Sequence, residues 1–479
     1  MTAKKLGRVG RLWTRIGTEF LPFADAASEG LPLTRLIRLS LFQISVGMAM
    51  ALTVGTLNRV MIVELGVSSA LVALMVALPL VFAPFRALIG FKSDNHRSVL
   101  GWRRVPYMWM GTLLQFGGLA MMPFALLVLS GDSGAPVDVG KVAAALAFLL
   151  IGAGIQTTQT AGLALATDLA PEQTRPRVVA LMYTMLLVGM VVSGFVFGFL
   201  LSDFSPMRLI QVVQGAGLLT MVLNVIALWK QEARNPALTN RARDDVDFWQ
   251  EWWAIARLPG TRRFLVAVAL GTAAFSMQDV LLEPYGGEIL GLPVSQTTIL
   301  TALMAMGGLV AFGLSARALT RGWNAYRLAA NGVLAGLPGF TAVLLAAPLE
   351  SPWLFFIGAS LIGFGSGMFA VGTLTAAMGI DPGRRSGLSL GAWGAVQATA
   401  GGAAVAAGGL IRDGVSYLAL HGSLGSALIG PSTGYGAVYY LEIILLFGAL
   451  IAIGPLARYA PADDDSKQST KFGLAQMPV

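Results

Sequence analysis

Long apolar runs, separated by short polar segments, dominate the chain. Each run is about 20 residues long, which is the length an α-helix needs to cross roughly 30 Å of hydrocarbon. The pattern predicts twelve membrane-spanning helices, near residues 39–63, 68–90, 105–130, 142–167, 178–201, 207–229, 263–285, 296–317, 325–347, 352–378, 387–411 and 434–457. We therefore expect an all-α polytopic membrane protein.

One long polar connection divides these spans into two groups of six. The predicted organisation is an N-terminal segment, a six-helix bundle, a linker, a second six-helix bundle and a tail, at 1–36, 37–230, 231–262, 263–457 and 458–479. In the linker, aromatic residues at i, i+1, i+4 and i+5 predict a helix in the membrane interface, with Trp249, Trp252 and Trp253 as an anchor or partner contact. Ordinary packing of a linker helix explains the pattern equally well.

Composition excludes several classes of protein. Hydrophobic residues make up 55% of the chain and charged residues 12%, so it is neither a water-soluble domain nor disordered. Cysteine is absent, which excludes disulfides and thiolate metal sites. Both histidines, His96 and His421, fall in predicted loops, and we expect no tightly bound metal. No Walker loop, metal-ligand spacing or serine triad occurs, so we do not expect an enzyme.

The net charge of +8 follows from topology rather than from nucleic-acid binding. Of the 33 lysines and arginines, 28 lie on the side of the termini, three lie in loops on the opposite side (Lys141, Arg208 and Arg412) and two lie inside spans (Arg59 and Arg86). Positively charged loops stay in the cytoplasm of bacterial membranes. The asymmetry predicts that both termini are cytoplasmic and that the number of spans is even.

The two halves contain matching motifs. Asn58-Arg59 in the first span and Gln278-Asp279 in the seventh are each an amide followed by a charge, at an offset of 220 residues. The segment 168–178 before the fifth span likewise resembles 381–387 before the eleventh. Two parallel six-helix repeats with a cytoplasmic linker resemble the major facilitator superfamily.

The loop after the second span supports that resemblance. Gly90 and Asp94 fit the Gly-x-x-x-Asp opening of a cytoplasmic motif of this superfamily, in which arginines brace the closed inner gate. The candidate gate residues here are Gly90, Asp94, Arg97, Arg103 and Arg104. A basic turn that only sets topology is an equally good interpretation.

Charges inside hydrocarbon are costly, so those in the spans are functional candidates. Arg59 lies in the first span, while Asp279 and Glu283 share one face of the seventh. We expect Arg59 to pair with one or both carboxylates, as a polar lock, a headgroup site or an ion pair that only joins the halves. Adjacent candidates are Asn58, Gln278 and Tyr285, and Pro284 with Gly286-Gly287 is expected to break the seventh helix.

A polar patch, 156–160, lies within the fourth span. Its amides and hydroxyls are suited to bind a ligand or a neighbouring helix, and helix contacts are the ordinary role of such groups.

Several longer motifs resemble the PucC/LhaA family, the bacteriochlorophyll-delivery branch of the major facilitator superfamily. They are Leu41 to Met48, Gly55 to Leu65, Ser93 to Arg97, Gly101 to Tyr107 and Met277 to Gly287. The resemblance implies an assembly factor for light-harvesting complexes in the inner (intracytoplasmic) membrane of purple bacteria, which transiently binds bacteriochlorophyll. The segment 23–27 and the chain length favour the core antenna, with its polypeptides and the reaction centre as partners, over the peripheral antenna.

Two other functions fit the residues. A proton-coupled small-solute transporter would titrate Asp279 or Glu283, and a chaperone without pigment would use the transporter fold as a scaffold. For pigment binding, chlorin magnesium commonly takes a histidine ligand, and no predicted span contains one. An amide, carboxylate, backbone carbonyl or water would have to serve instead.

Overall fold

The computed structural model describes residues 31–81, 102–131, 133–171, 174–232, 260–379 and 386–459. The predicted gate residues Gly90, Asp94 and Arg97 lie outside these ranges, as do the linker tryptophans Trp249, Trp252 and Trp253. The side on which the first helix begins is called the terminal side here, and the opposite side is called the far side.

Twelve helices run through the described residues, and the all-α expectation is confirmed. In the first half they are α1 (Leu33–Glu64), α2 (Ser69–Val81), α3 (Val105–Leu129), α4 (Val137–Leu169), α5 (Arg175–Leu200) and α6 (Pro206–Leu228). In the second half they are α7 (Thr261–Glu288), α8 (Val294–Thr320), α9 (Ala325–Ala346), α10 (Pro352–Gly379), α11 (Ser386–Leu420) and α12 (Ser432–Tyr459). Eleven of these twelve are long and apolar enough to cross a membrane; α2 is shorter.

Glycines bring helices into close contact at equivalent places in the two halves. A Cβ on Gly111 of α3 would lie 2.9 Å from the carbonyl oxygen of Gly154 in α4, and one on Gly332 of α9 would lie 2.6 Å from that of Gly365 in α10. Helices in lipid associate through van der Waals contact, which small residues maximise. The α3–α4 and α9–α10 pairs therefore pack by the same means, as a repeated fold requires.

The two halves contact each other most closely near the far side, where α5 packs on α8 and α2 packs on α11. A Cβ on Gly198 would lie 3.0 Å from the carbonyl oxygen of Ser295, and one on Gly409 would lie 2.6 Å from that of Ser69. These positions are near the far ends of their helices. The backbones of the two halves therefore touch on the far side.

Both α1 and α7 depart from α-helical geometry in their far-side portions. α1 is π-helical over Ala51–Leu57 and Val60–Glu64, and α7 passes through a 3₁₀ turn at Met277–Val280. Such irregular turns often occur at functional sites. These helices occupy equivalent places in the two repeats, and their irregular segments carry or adjoin the Asn58-Arg59 and Gln278-Asp279 motifs.

The expected break of α7 at Gly286-Gly287 is wrong. Helix continues through Leu282–Glu288, and the irregular turn lies earlier, at Met277–Val280. The proline ring of Pro284 excludes a hydrogen bond to the carbonyl four residues before it, which belongs to Val280. Proline therefore acts one turn upstream of its own position, while both glycines remain helical.

Valine in place of Gly409 should destabilise the protein, because its side chain would collide with the backbone of α2. Overpacking of this kind costs about 1–3 kcal/mol. Gly117 is the control, because a Cβ there meets no atom within 4 Å, and Gly117→Ala should leave the melting temperature in detergent unchanged or slightly raised. Equal melting temperatures for Gly409→Val and the wild type would contradict the close α2–α11 contact.

Candidate functional site: the central cavity and the far-side junction

A cavity of about 540 Å³ lies between the two halves. Its volume falls in the range of small-molecule sites. Residues of both halves form its walls, which extend from the middle of α1 and α7 toward the terminal-side portions of α5, α10 and α11. The walls are mainly apolar, with Met50, Phe148, Ile151, Leu186, Phe312, Leu374 and Trp393 among them.

A few polar groups also face the cavity: Thr53, Gln156, Gln159, Tyr183, Asp279 and Gln397. The side-chain oxygen of Gln156 is buried and accepts no hydrogen bond within the described part of the chain. Asp279 Oδ1 accepts a hydrogen bond from Gln278 Nε2 at 2.8 Å. The cavity thus combines apolar walls with one carboxylate and two side-chain oxygens, those of Gln156 and Thr272, that have no hydrogen-bond partner among the described residues.

The far end of the cavity adjoins a polar contact between the halves, which we call the far-side junction: Thr56, Asn58, Arg59, Glu283, Leu292, Thr298 and Thr301. Asn58 is fully buried on α1, and its amide nitrogen donates to the carbonyl of Val54. The same nitrogen lies 3.4 Å from the carbonyl oxygens of Asp279 and Val280. Asn58 therefore provides a donor to carbonyls of α7 where that helix is irregular.

The expected direct ion pair of Arg59 with Asp279 or Glu283 is wrong, although the charge of Arg59 still acts electrostatically on the Glu283 carboxylate. Arg59 Nη1 pairs with Glu64 Oε1 at 2.5 Å, and Nη2 donates to the carbonyl oxygen of Leu292 at 3.2 Å. Because π-helical turns bond i to i+5, residue 64 comes above residue 59, whereas in a regular α-helix it would not. Arg59 still joins the halves, through the backbone before α8.

Glu283 forms a third polar contact at the junction. Its Oε1 accepts a hydrogen bond from Thr301 Oγ1 at 2.6 Å, while its Oε2 has no partner among the described residues. Gly55 of α1 gives this pair its space, because a Cβ there would lie 2.6 Å from Thr301 Oγ1. One turn away, Thr56 and Thr298 share a hydrogen bond of 3.2 Å across the halves.

Tyr285 belongs to the core of the second half rather than to the junction. Its ring centroid lies 5.4 Å from that of Tyr435 and 5.7 Å from that of Phe355, and its hydroxyl donates to the carbonyl of Val343 at 3.4 Å. This position gives no support to the prediction that Tyr285 is a ligand or gate residue.

Glu442, in the middle of α12, is a buried carboxylate that the sequence analysis missed. It is fully buried, it lies beside the backbone of Gln278, and it interacts electrostatically with Asp279. The sequence does indicate this residue, because Glu442 is a charged residue within a predicted span. Asp279 and Glu283 were chosen as candidates for that same reason.

A second charged contact lies beside the junction on the far side. Arg412 of α11 contacts Glu288 and Tyr435, and its neighbour Asp413 accepts a hydrogen bond at 2.7 Å from the backbone N–H of Ala70, at the start of α2. The sequence analysis assigned Arg412 to a loop. It was missed because α11 continues to Leu420, beyond the predicted end at 411.

The described partners of the two remaining gate candidates belong to their own half. Arg104 Nε donates to Asp168 at 3.0 Å, and Arg103 lies 3.5 Å from the same carboxylate. Glu232 accepts from the backbone N–H groups of Arg103 and Val105, which caps the start of α3. Their role in a gate between the halves stays a prediction.

Together these contacts hold the far side closed while the cavity lies nearer the terminal side. Among the described residues, no group of three or more acidic or histidine side chains is placed to hold a metal ion. The groups that face the cavity suit an apolar ligand with a few polar contacts. The polar groups at the far-side junction suit a contact that forms and breaks as the halves move.

Loss of Arg59 should loosen the far-side junction. Because the chain lacks cysteine, Thr56→Cys would provide a single thiol at a fully buried junction position. We expect a thiol reagent to label it about tenfold faster when Arg59→Ala is added. That factor corresponds to a loss of about 1.4 kcal/mol in the free energy that favours the closed junction over the open one. Ser133→Cys, in an exposed loop, is the control and should react at one rate in both backgrounds. Unchanged labelling at residue 56 would show that Arg59 does not hold the junction.

Comparisons with known proteins agree with the fold. A bacterial homologue of the human lysosomal transporter Spinster, in an inward-facing and unoccupied conformation, aligns with a TM-score of 0.66 at 15% identity, over 90% of this chain and 98% of that one. At that identity the likeness establishes the fold alone. The expected major facilitator architecture is confirmed.

Sequence relatives are much more similar. An uncharacterized protein of the puhA-bchM intergenic region of Rhodobacter capsulatus is 52% identical over 484 aligned positions, covering all of both chains. Protein PucC of Rhodovulum sulfidophilum is 56% identical over 416 positions, which are 85% of this chain and 91% of that protein. The model of the PUCC protein family matches residues 56–460. The chain belongs to the PucC family.

Proposed function

We propose that this protein binds bacteriochlorophyll in its central cavity and delivers it while a light-harvesting complex is assembled. Membership of the PucC family supports a role in light-harvesting complex assembly in purple bacteria. The observation that carries the pigment proposal is the cavity, whose apolar walls enclose the unpartnered oxygen of Gln156.

Bacteriochlorophyll is a largely apolar macrocycle around a magnesium ion. Magnesium is a hard cation that takes oxygen ligands, and a neutral amide oxygen binds it more weakly than a carboxylate does. Met50, Phe148 and Trp393 offer adaptable apolar and aromatic contacts to the ring. Gln156 is the residue we propose as the magnesium ligand. A weak ligand suits a carrier, because cargo that is bound too tightly is not released.

We further propose the core antenna, with its polypeptides and the reaction centre, as the assembly partner. Support comes from the segment 23–27 and the chain length; coverage does not add to it, because a PucC protein also matches 95% of this chain. Assembly of the peripheral antenna is the alternative. The charge asymmetry supports the inner membrane, with both termini cytoplasmic.

Proton-coupled transport of a small solute is the second candidate function. Asp279 faces the cavity and Glu442 is buried behind it, both within spans. Ionisable residues at such depth often mark proton pathways. A transporter would carry a defined solute by counterflow in proteoliposomes and would need no antenna protein.

Replacing Gln156 by leucine should remove pigment without unfolding the protein, because leucine keeps about the same volume and loses only the side-chain amide. Protein purified in mild detergent from pigment-producing cells should show chlorin absorbance, and Gln156→Leu should lower its pigment occupancy about tenfold, equivalent to about 1.4 kcal/mol. Gln296→Leu is the matched control, because Gln296 is exposed and outside the cavity.

Three outcomes would contradict the proposal. Full pigment occupancy in Gln156→Leu would move the pigment away from this residue. Antenna polypeptides that co-purify with a colourless wild-type protein would favour a chaperone without pigment. Counterflow of a solute by wild-type protein that binds neither pigment nor antenna would favour the transporter.

A further inference from the structure

α6 presents a continuous exposed face along its whole length. Its members recur every three or four residues, so they lie on one side of the helix: Met207, Gln211, Gln214, Leu218, Val222, Val225 and Trp229. We call this set the α6 face. Leu218 is 63% exposed and Trp229 is 61% exposed, so the described part of the chain leaves both largely uncovered.

Two members of the α6 face are glutamines at membrane depth. α6 begins at Pro206 and has 23 residues, so Gln211 and Gln214 lie roughly 7.5 Å and 12 Å along a helix of about 33 Å. A helix of that length spans the hydrocarbon with little to spare. Both amides therefore lie inside the apolar layer, and that of Gln214 is close to its middle.

An amide that makes no hydrogen bond in hydrocarbon costs several kcal/mol. Within the described ranges, neither Gln211 nor Gln214 makes a side-chain hydrogen bond, and neither lines the cavity. Lipid tails offer no partner, and headgroups lie too far from Gln214. The cost is removed when a second protein surface supplies donors and acceptors at the same depth.

The backbone beside these amides is open to close approach. Gly215 follows Gln214, and a Cβ placed on it would meet no atom within 4 Å. Gly117 on the adjoining helix α3 is open in the same way. Small residues beside hydrogen-bonding side chains are typical of helix–helix contacts in membranes.

The equivalent helix of the second half does not have these features. The most exposed large side chains of α12 are Tyr440, Ile444, Phe447 and Ile451, and none of them carries an amide. Exposed glutamines are thus a property of α6 and not a requirement of the fold. The exposed face of α12 is suited to lipid alone.

We propose that the α6 face binds the single transmembrane helix of an antenna polypeptide, with Gln211 and Gln214 donating and accepting hydrogen bonds across the contact. This inference rests on the proposed function and specifies where the partner sits. A helix suits the face, because the members of the α6 face follow that helix from Met207 to Trp229. The contact lies on the outside of the first half, so it leaves the cavity accessible.

A cross-linking experiment tests the α6 face without changing the glutamines. Leu218→Cys places a single thiol one turn from Gln214 in an otherwise cysteine-free chain, and a thiol-attached photo-cross-linker then reports its neighbours in membranes that are assembling antenna. Ile444→Cys on α12 is the matched control. We expect adducts with antenna polypeptides, identified by mass spectrometry, in about fivefold higher yield from residue 218.

Adding Gln211→Leu and Gln214→Leu to Leu218→Cys should lower the adduct yield about fivefold, since two interhelical hydrogen bonds are lost. The melting temperature should stay the same or rise, because leucine is better suited to lipid, so a folding defect would be recognised. Pigment occupancy should also persist, unlike in Gln156→Leu.

Adducts of twice the protein's mass would assign the α6 face to a second copy and overturn the inference. Lipid adducts alone, or equal yields from residues 218 and 444, would do the same. Antenna adducts from residue 444 only would overturn the surface but leave the proposed function intact. Absence of antenna adducts at both positions, with normal antenna assembly in cells lacking the protein, would overturn both.

Discussion

The contact between α1 and α7 on the far side is the interaction on which the rest of the structure depends. Both helices lose regular geometry there, and the freed backbone groups of α7 face the amide of Asn58. In a membrane, an irregular backbone is tolerated only where other protein groups satisfy it. The two halves therefore complete one another at this point, and the cavity begins where their contact ends.

Polar contacts of this kind separate more readily than a packed apolar interface. Arg59 donates to one backbone carbonyl, Glu283 accepts from one threonine, and Asp413 accepts from one backbone N–H. Each contact crosses or adjoins the boundary between the halves, and water replaces such partners when the halves part. Apolar contacts join the halves beside these polar ones, because Val280, Val294 and Val405 of the second half pack in the apolar core of the first.

The number and order of the helices were predictable from the sequence, because the length of each apolar run and the distribution of lysine and arginine are read directly from it. The partner of Arg59 was not predictable, because it depends on π-helical turns that bring Glu64 next to it, and no local sequence pattern predicts such turns.

The irregular turn in α7 was predicted at the glycines, although Pro284 acts one turn earlier. Glu442 was predictable and overlooked, whereas the role of Arg412 required the true length of α11. The exposure of Gln211 and Gln214 depends on which face of α6 the other helices cover, and periodicity does not reveal that.

The most direct test of pigment binding in the central cavity is a structure of the protein in a lipid bilayer, purified with its native pigment. We expect one bacteriochlorophyll in the central cavity, with its magnesium facing the Gln156 oxygen, while Arg59 and Asn58 hold the far side closed. A pigment bound outside the cavity, or an empty cavity in protein that co-purifies with pigment, would contradict it.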